Sequence, residues 1–153
     1  MRPSVLVIGG TPEEQLSIIE NLEDAGYLAD SVETPENALR ICQTTQVHIV
    51  ISSLHSVEHF GLAAYRTIQE KVPALHFILT VPRERIPHLD LPGLTIGQVV
   101  PAPFLLRDLL KAVRRSSSPW LSLSHQLRAR FSSHGEQSLQ KEEVLSEPYS
   151  GGR

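Results

Sequence analysis

Cysteine, methionine and tryptophan each occur once in the 153 residues, and aromatic side chains make up only 5% of the chain. The single cysteine, Cys42, excludes an internal disulfide and any cysteine-cluster metal site, which suits a reducing cytoplasm. A long apolar run is missing too. Met1-Arg-Pro-Ser4 leads into Val5–Ile8 and then Gly9-Gly10, too short for a signal-peptide core or a membrane span, so a soluble cytoplasmic protein is expected. Nor does one sign of charge dominate: 14 Lys and Arg stand against 17 Asp and Glu. A chain-wide electrostatic grip on nucleic acid is therefore not expected. The length fits one compact domain with an appendage.

What is present is an alternation of short apolar runs with helical patterns. Val5-Leu-Val-Ile8, ended by two glycines, has the character of a strand buried on both faces. Thr11-Pro12-Glu13-Glu14 then supplies a hydroxyl cap, a proline at the first helical position and a capping-box glutamate. Leu16, Ile19, Leu22 and Ala25 follow at helical spacing, and Gly26 closes the helix. A weaker strand spans 27–32, and Thr34-Pro35-Glu36-Asn37 opens a second helix over Ala38, Leu39, Ile41 and Cys42. A third strand over 47–51 runs into polar Ser52-Ser53 and a loop to Gly61; a helix over 62–72 and a strand over 75–80 follow. Pro82, Pro87 and Pro92 then leave room only for short or irregular helix, because an interior proline costs about 3 kcal/mol. Val99-Val100 gives a brief fifth strand, and 105–115 a last amphipathic helix. The fold class predicted is a three-layer α/β/α sandwich on a five-stranded parallel sheet, over residues 1–115.

Composition changes at Ser116. Ten of the 38 residues of 116–153 are serine, four basic and four acidic residues cancel, and the segment is expected to be a largely flexible tail. Within it Trp120, Leu123, Leu127 and Phe131 fall at spacings of three, four and four, the face of a short amphipathic helix over 119–131 and a candidate partner-binding surface. Such a helix needs a surface, either the Pro-rich segment 82–97 or a partner's groove.

In open parallel sheets the ligand site lies at the carboxyl ends of the strands, which places Gly9, Gly10, Ser53, Thr80 and Ala102 there. Gly9-Gly10-Thr11 before a helix could cradle a phosphate on free amides, but Glu13 and Glu14 in the first turn oppose an anion and no full dinucleotide or Walker spacing is present. Ser53 could take phosphate from a kinase, although a structural hydroxyl at a strand end is the plainer reading. His55 and His59, four apart, have the spacing of helical metal ligands; placed in the loop before Gly61 and lacking a third ligand, they are read as exposed loop residues. No nucleophile elbow frames Ser52 or Ser53.

These positions keep a common register. Val5-Leu-Val-Ile-Gly-Gly-Thr-Pro12, Gly26-Tyr27, Ala38-Leu39, His48-Ile-Val-Ile-Ser-Ser53-Leu54 with Gly61 eight residues past Ser53, Thr80 and Ala102-Pro103-Phe104 together resemble the receiver (CheY-like) domain of two-component response regulators, over about residues 4–115. The resemblance implies the flavodoxin-like topology. It also implies where the receiver chemistry would sit. Receivers bind Mg²⁺ with two acidic residues after the first strand and the phosphoacceptor Asp after the third; here these are Gly9, Gly10 and Ser53. The switch threonine is kept as Thr80, the lysine of the lysine-proline-phenylalanine motif is Ala102, and the aromatic switch position falls on Val99. Mg²⁺ is usually held through one or two carboxylates, and none of these positions supplies one.

The function expected is a degenerate, pseudo-receiver signalling module of two-component or phosphorelay type. It would act by protein–protein contact, without aspartyl phosphate, metal, cofactor or enzymatic activity, and without nucleic acid or membrane as partner. The alternative is a flavodoxin-like module that holds a nucleotide or other small ligand in the uncharged pocket; a displaced acceptor at Glu58 or Asp90 fits no receiver position. Restoring Gly9→Asp, Gly10→Asp, Ser53→Asp and Ala102→Lys together is expected to return metal affinity.

Overall fold

A computed structural model describes residues 2–117. In chain order the elements are β1 (Ser4–Ile8), α1 (Pro12–Asp24), β2 (Leu28–Val32), α2 (Pro35–Thr44), β3 (Ile49–Ser53), α3 (Leu54–Phe60), α4 (Leu62–Lys71), β4 (His76–Pro82), a 3₁₀ turn (Arg83–His88), β5 (Gln98–Ala102) and α5, residues 106–117. The five strands are all parallel in the order β2-β1-β3-β4-β5, the CheY-like flavodoxin arrangement. The short helix expected over 119–131, with Trp120, Leu123, Leu127 and Phe131, falls outside the described residues.

Strand periodicity divides the core into two layers. Leu6, Ile8, Val50, Phe77, Leu79 and Val81 join Ala38, Leu54, Val57, Tyr65 and Ile68 in one cluster on the side of α2, α3 and α4. The alternate residues Val5, Val7, Ile49, Ile51, Ile78 and Val100 are buried as well, and so are Leu22 of α1 and Leu109, Ala112 and Val113 of α5. Both faces are thus covered, as the unbroken apolar runs of β1 and β3 require. Helix starts follow the expected chemistry. Thr11 caps α1 in a complete capping box with Glu14, and the Thr34 hydroxyl accepts from the Asn37 amide at 3.2 Å.

Three stretches differ from the sequence reading. Residues 54–60 form a helix rather than a loop: Ser53 caps it, Leu54 and Val57 put a two-residue apolar stripe into the core, and Gly61 at φ +101° ends it. The last helix continues to residue 117, where Ser116 and Ser117 are buried and the Ser117 hydroxyl lies 3.3 Å from that of Tyr27. The Pro-rich stretch after β4 holds only a 3₁₀ turn, as its prolines demand, but the chain then folds back over α4. Gln69 and Thr95 exchange two hydrogen bonds of 2.8 and 2.7 Å, and Arg66 donates to the Pro92 carbonyl at 3.0 Å. Ile86, Leu89, Leu91, Leu94 and Ile96 pack on the α2–α4 cluster, so this segment supplies its own cover.

Candidate functional site

Register brings the predicted site residues to one end of the sheet. Ser53 pairs with Thr80, Thr80 with Val100, and Ile8 with Ser52, which sets Gly9 level with Ser53 across β1 and β3. Ala102 pairs with Pro82, two residues further along the edge strand, and the Ala102–Pro103 peptide bond is cis. Gly9, Ser53 and Thr80 therefore form the centre, Gly10 the entry to α1, and Ala102 the rim. Val99 lies on β5 at 37% exposure.

The centre is filled by hydroxyl groups. Ser53 Oγ accepts from the Ser56 amide at 3.1 Å, the N-cap bond of α3, and donates to Ser56 Oγ at 3.1 Å. Ser56, one turn into α3, is 4% exposed. Its hydroxyl occupies the space beside Gly9: a Cβ built on Gly9 would lie 2.2 Å from Ser56 Oγ and 3.2 Å from Ser56 Cβ. Gly9 also has φ +78°, and its backbone is tied down on both sides. Its amide donates to the Val32 carbonyl at 3.1 Å, and its carbonyl accepts from Gln15 Nε2 at 2.8 Å. On the other face of β3, Ser52 Oγ and Tyr65 OH are 2.9 Å apart and buried. Burial pushes the Tyr65 phenol up to about 12, with the Ser52 hydrogen bond opposing and the Glu36 carboxylate adding to the shift.

This geometry bears on each earlier expectation. The Ser53 hydroxyl caps α3. Of the amides that could cradle a phosphate, that of Gly9 is spent in the sheet and that of Thr11 is bonded to Glu14 Oε1 at 3.0 Å. The positive end of α1 thus already faces a carboxylate. Two surface hollows of about 320 and 360 Å³ lie away from the centre. The first runs along β5 beside Val99, Pro101 and Lys111, the second beside Leu75, Phe77 and Gly97. Among the described residues no group of three or more His, Cys, Asp or Glu side chains could hold a metal, and no helix is long and apolar enough to cross a membrane. His55 and His59, expected in a loop, stand on α3. Sequence reasoning missed Ser56 and Tyr65. Ser53-x-x-Ser56 after a strand is a legible cap signal, whereas the Ser52–Tyr65 contact has no local signature.

No family model and no curated protein sequence matches the chain. Solved structures do. The signal receiver domain of an HD domain-containing protein from Pseudomonas fluorescens Pf-5 superposes with a TM-score of 0.66 at 21% identity, covering 80% of this chain and 99% of that one. A response regulator from Thermotoga maritima gives 0.66 at 18%, over 77% and 99%. The chemotaxis response regulator CheY4 of Vibrio cholerae gives 0.66 at 18%, over 76% and 99%. Nearly the whole length of each receiver is matched, and the fold of this chain is that of a CheY-like receiver domain.

Proposed function

We propose that the chain carries a receiver-like signalling module of two-component type that acts by contact with another protein and takes no aspartyl phosphate. One observation carries the reading: Ser56 Oγ fills the space beside Gly9 that an acidic side chain would need, and Ser53 is committed to capping α3. The Mg²⁺ and acyl-phosphate chemistry of a receiver needs carboxylates at this centre, and Gly9, Gly10 and Ser53 supply none. Ala102 in place of the lysine removes the positive charge that such a centre would require, so the site is neutral on both sides. A packed, uncharged centre of this kind has no evident catalytic group, and the reading is of a non-enzymatic module with no cofactor at this centre. It is placed in the cytoplasm, with no nucleic acid or membrane as partner. Within this reading the 1–115 portion is the receiver-like unit and 116–153 an appendage whose Trp120, Leu123, Leu127 and Phe131 serve partner binding.

The test is a titration of the full chain with Mg²⁺ and beryllofluoride followed by backbone NMR. No change at Gly10, Ser53 and Thr80 is expected. Shifts clustered at those three residues at sub-millimolar metal would overturn the reading.

A further inference from the structure

The helix α3 carries a feature that the hydroxyl centre does not use. His55 and His59 lie four residues apart on it, both exposed, with ring centroids 6.1 Å apart and planes within 14° of parallel. Phe60 packs edge-on against the His59 ring at 4.8 Å and limits its freedom. Two imidazoles one turn apart on the same helix face can direct one nitrogen each at a common ion, at the roughly 2.0–2.1 Å that zinc–nitrogen bonds require.

We propose that His55 and His59 form an open two-histidine site for a divalent transition ion of the zinc class, with water in the remaining positions. Imidazole donors select such ions, whereas Mg²⁺ and Ca²⁺ prefer oxygen ligands. The segment His55-Ser-Val-Glu58-His59 has the residue order of one class of zinc peptidases. Hydrolysis is nevertheless not its role. Glu58, which would be the base, is paired with Arg85 of the 3₁₀ turn, and no third side-chain ligand stands nearby among the described residues. The consequence is mechanical. An ion clipped across one turn of a seven-residue helix opposes its fraying, and that helix carries Ser56 and is capped by Ser53. The site is independent of the receiver-like reading above and stands or falls without it.

The experiment is calorimetric titration of the full chain with zinc chloride, with magnesium chloride as control, alongside thermal melts and imidazole NMR spectra. One zinc ion per chain is expected at sub-millimolar concentration, with a rise in melting temperature and shifts of both ring signals. His55→Ala or His59→Ala should weaken this binding about a hundredfold, since each removes one arm of a chelate, the low end of what linkage contributes. Both positions are exposed on a helix, so alanine preserves the fold. His88→Ala, and the pair His125→Gln with His134→Gln, should leave binding unchanged. Absence of zinc binding below millimolar concentration overturns the proposal; so does undiminished binding in His55→Ala and His59→Ala, or loss confined to the His88 or His125/His134 variants.

Discussion

Gly9→Ala isolates the contact on which the reading of the site rests. Two costs add. The first is backbone: Gly9 has φ +78°, and a residue with a Cβ in the left-handed region loses about 1–2 kcal/mol. The second is steric, because the new Cβ would meet Ser56 Oγ at 2.2 Å. Ser56 cannot turn aside freely, being buried and hydrogen-bonded to Ser53, and Gly9 cannot retreat from its bonds to Val32 and Gln15. Overpacking of this kind costs about 1–3 kcal/mol, giving a total of about 2–5 kcal/mol. That is a large share of the 5–15 kcal/mol or so that holds a typical domain together. With a urea m-value of about 1–3 kcal/mol/M, a loss near the middle of the range moves the midpoint down by about 1–3.5 M.

Gly26 separates the two terms. It has φ +96°, but nothing lies within 4 Å of the position its Cβ would take, so Gly26→Ala carries the backbone cost alone. Urea denaturation of both variants, and of Gly9→Ala combined with Ser56→Ala, completes the comparison. Gly9→Ala should cost about 1–3 kcal/mol more than Gly26→Ala, and Ser56→Ala should return about half of that difference, since it removes the hydroxyl but leaves Ser56 Cβ at 3.2 Å. Equal costs at the two glycines, or no relief from Ser56→Ala, would refute the claim that Ser56 fills the place of a receiver's acidic side chain.

Two further outcomes follow from the same network. Ser53→Ala should lower stability by about 1 kcal/mol through loss of the α3 cap, whereas Ser53→Asp should hold it, aspartate capping as well as serine; equal melting temperatures for the two variants would contradict the cap assignment. Stability should decline in alkali, because burial raises Cys42 from 9.0 to about 11 and Tyr65 from 10.0 to about 12, so the unfolded chain releases these protons first. The loss begins near pH 9 with Cys42 and runs to about pH 12 with Tyr65, and Tyr65→Phe should flatten its upper part in pH-dependent denaturation curves.

How legible each part was depends on how local its signals are. β1 and α1 could be read because Val5–Ile8, Gly9-Gly10 and Thr11-Pro12-Glu13-Glu14 put strand, turn and cap in ten consecutive residues, and each agrees with the others. The seven-residue α3 could not be read the same way: Leu54, Val57 and Phe60 span fewer than two turns, too little periodicity to outweigh the histidines and serines around them. Without that helix His55 and His59 fall in a loop, and the hydroxyl of Ser53 has no helix to cap. The prolines of 82–97 announced the lack of a regular helix. They could not announce that Thr95 would reach Gln69, because a contact across 26 residues depends on the path of the chain. Ser52 and Tyr65 were invisible for the same reason.

The packing around Gly9 also decides what restoring receiver chemistry requires. The fourfold exchange Gly9→Asp, Gly10→Asp, Ser53→Asp and Ala102→Lys supplies three carboxylates and an ammonium, the charges a Mg²⁺ site needs. Charge alone does not make the site, since an aspartate at position 9 begins with a Cβ 2.2 Å from Ser56 Oγ. At position 10 a Cβ lies 3.3 Å from Glu14 Oε1, a carboxylate already holding the Thr11 amide, so like charges are added beside a fixed one. The fourfold variant is therefore expected to be destabilised and to bind no Mg²⁺, contrary to what spacing in the sequence suggested. Adding Ser56→Gly removes both atoms that block position 9, and only that fivefold variant should gain Mg²⁺ affinity, read by calorimetry and by the metal-dependent rise in melting temperature. A fourfold variant that binds Mg²⁺ while Ser56 is intact would show that the loop beside Gly9 yields easily, and that the missing carboxylates alone keep the ion out.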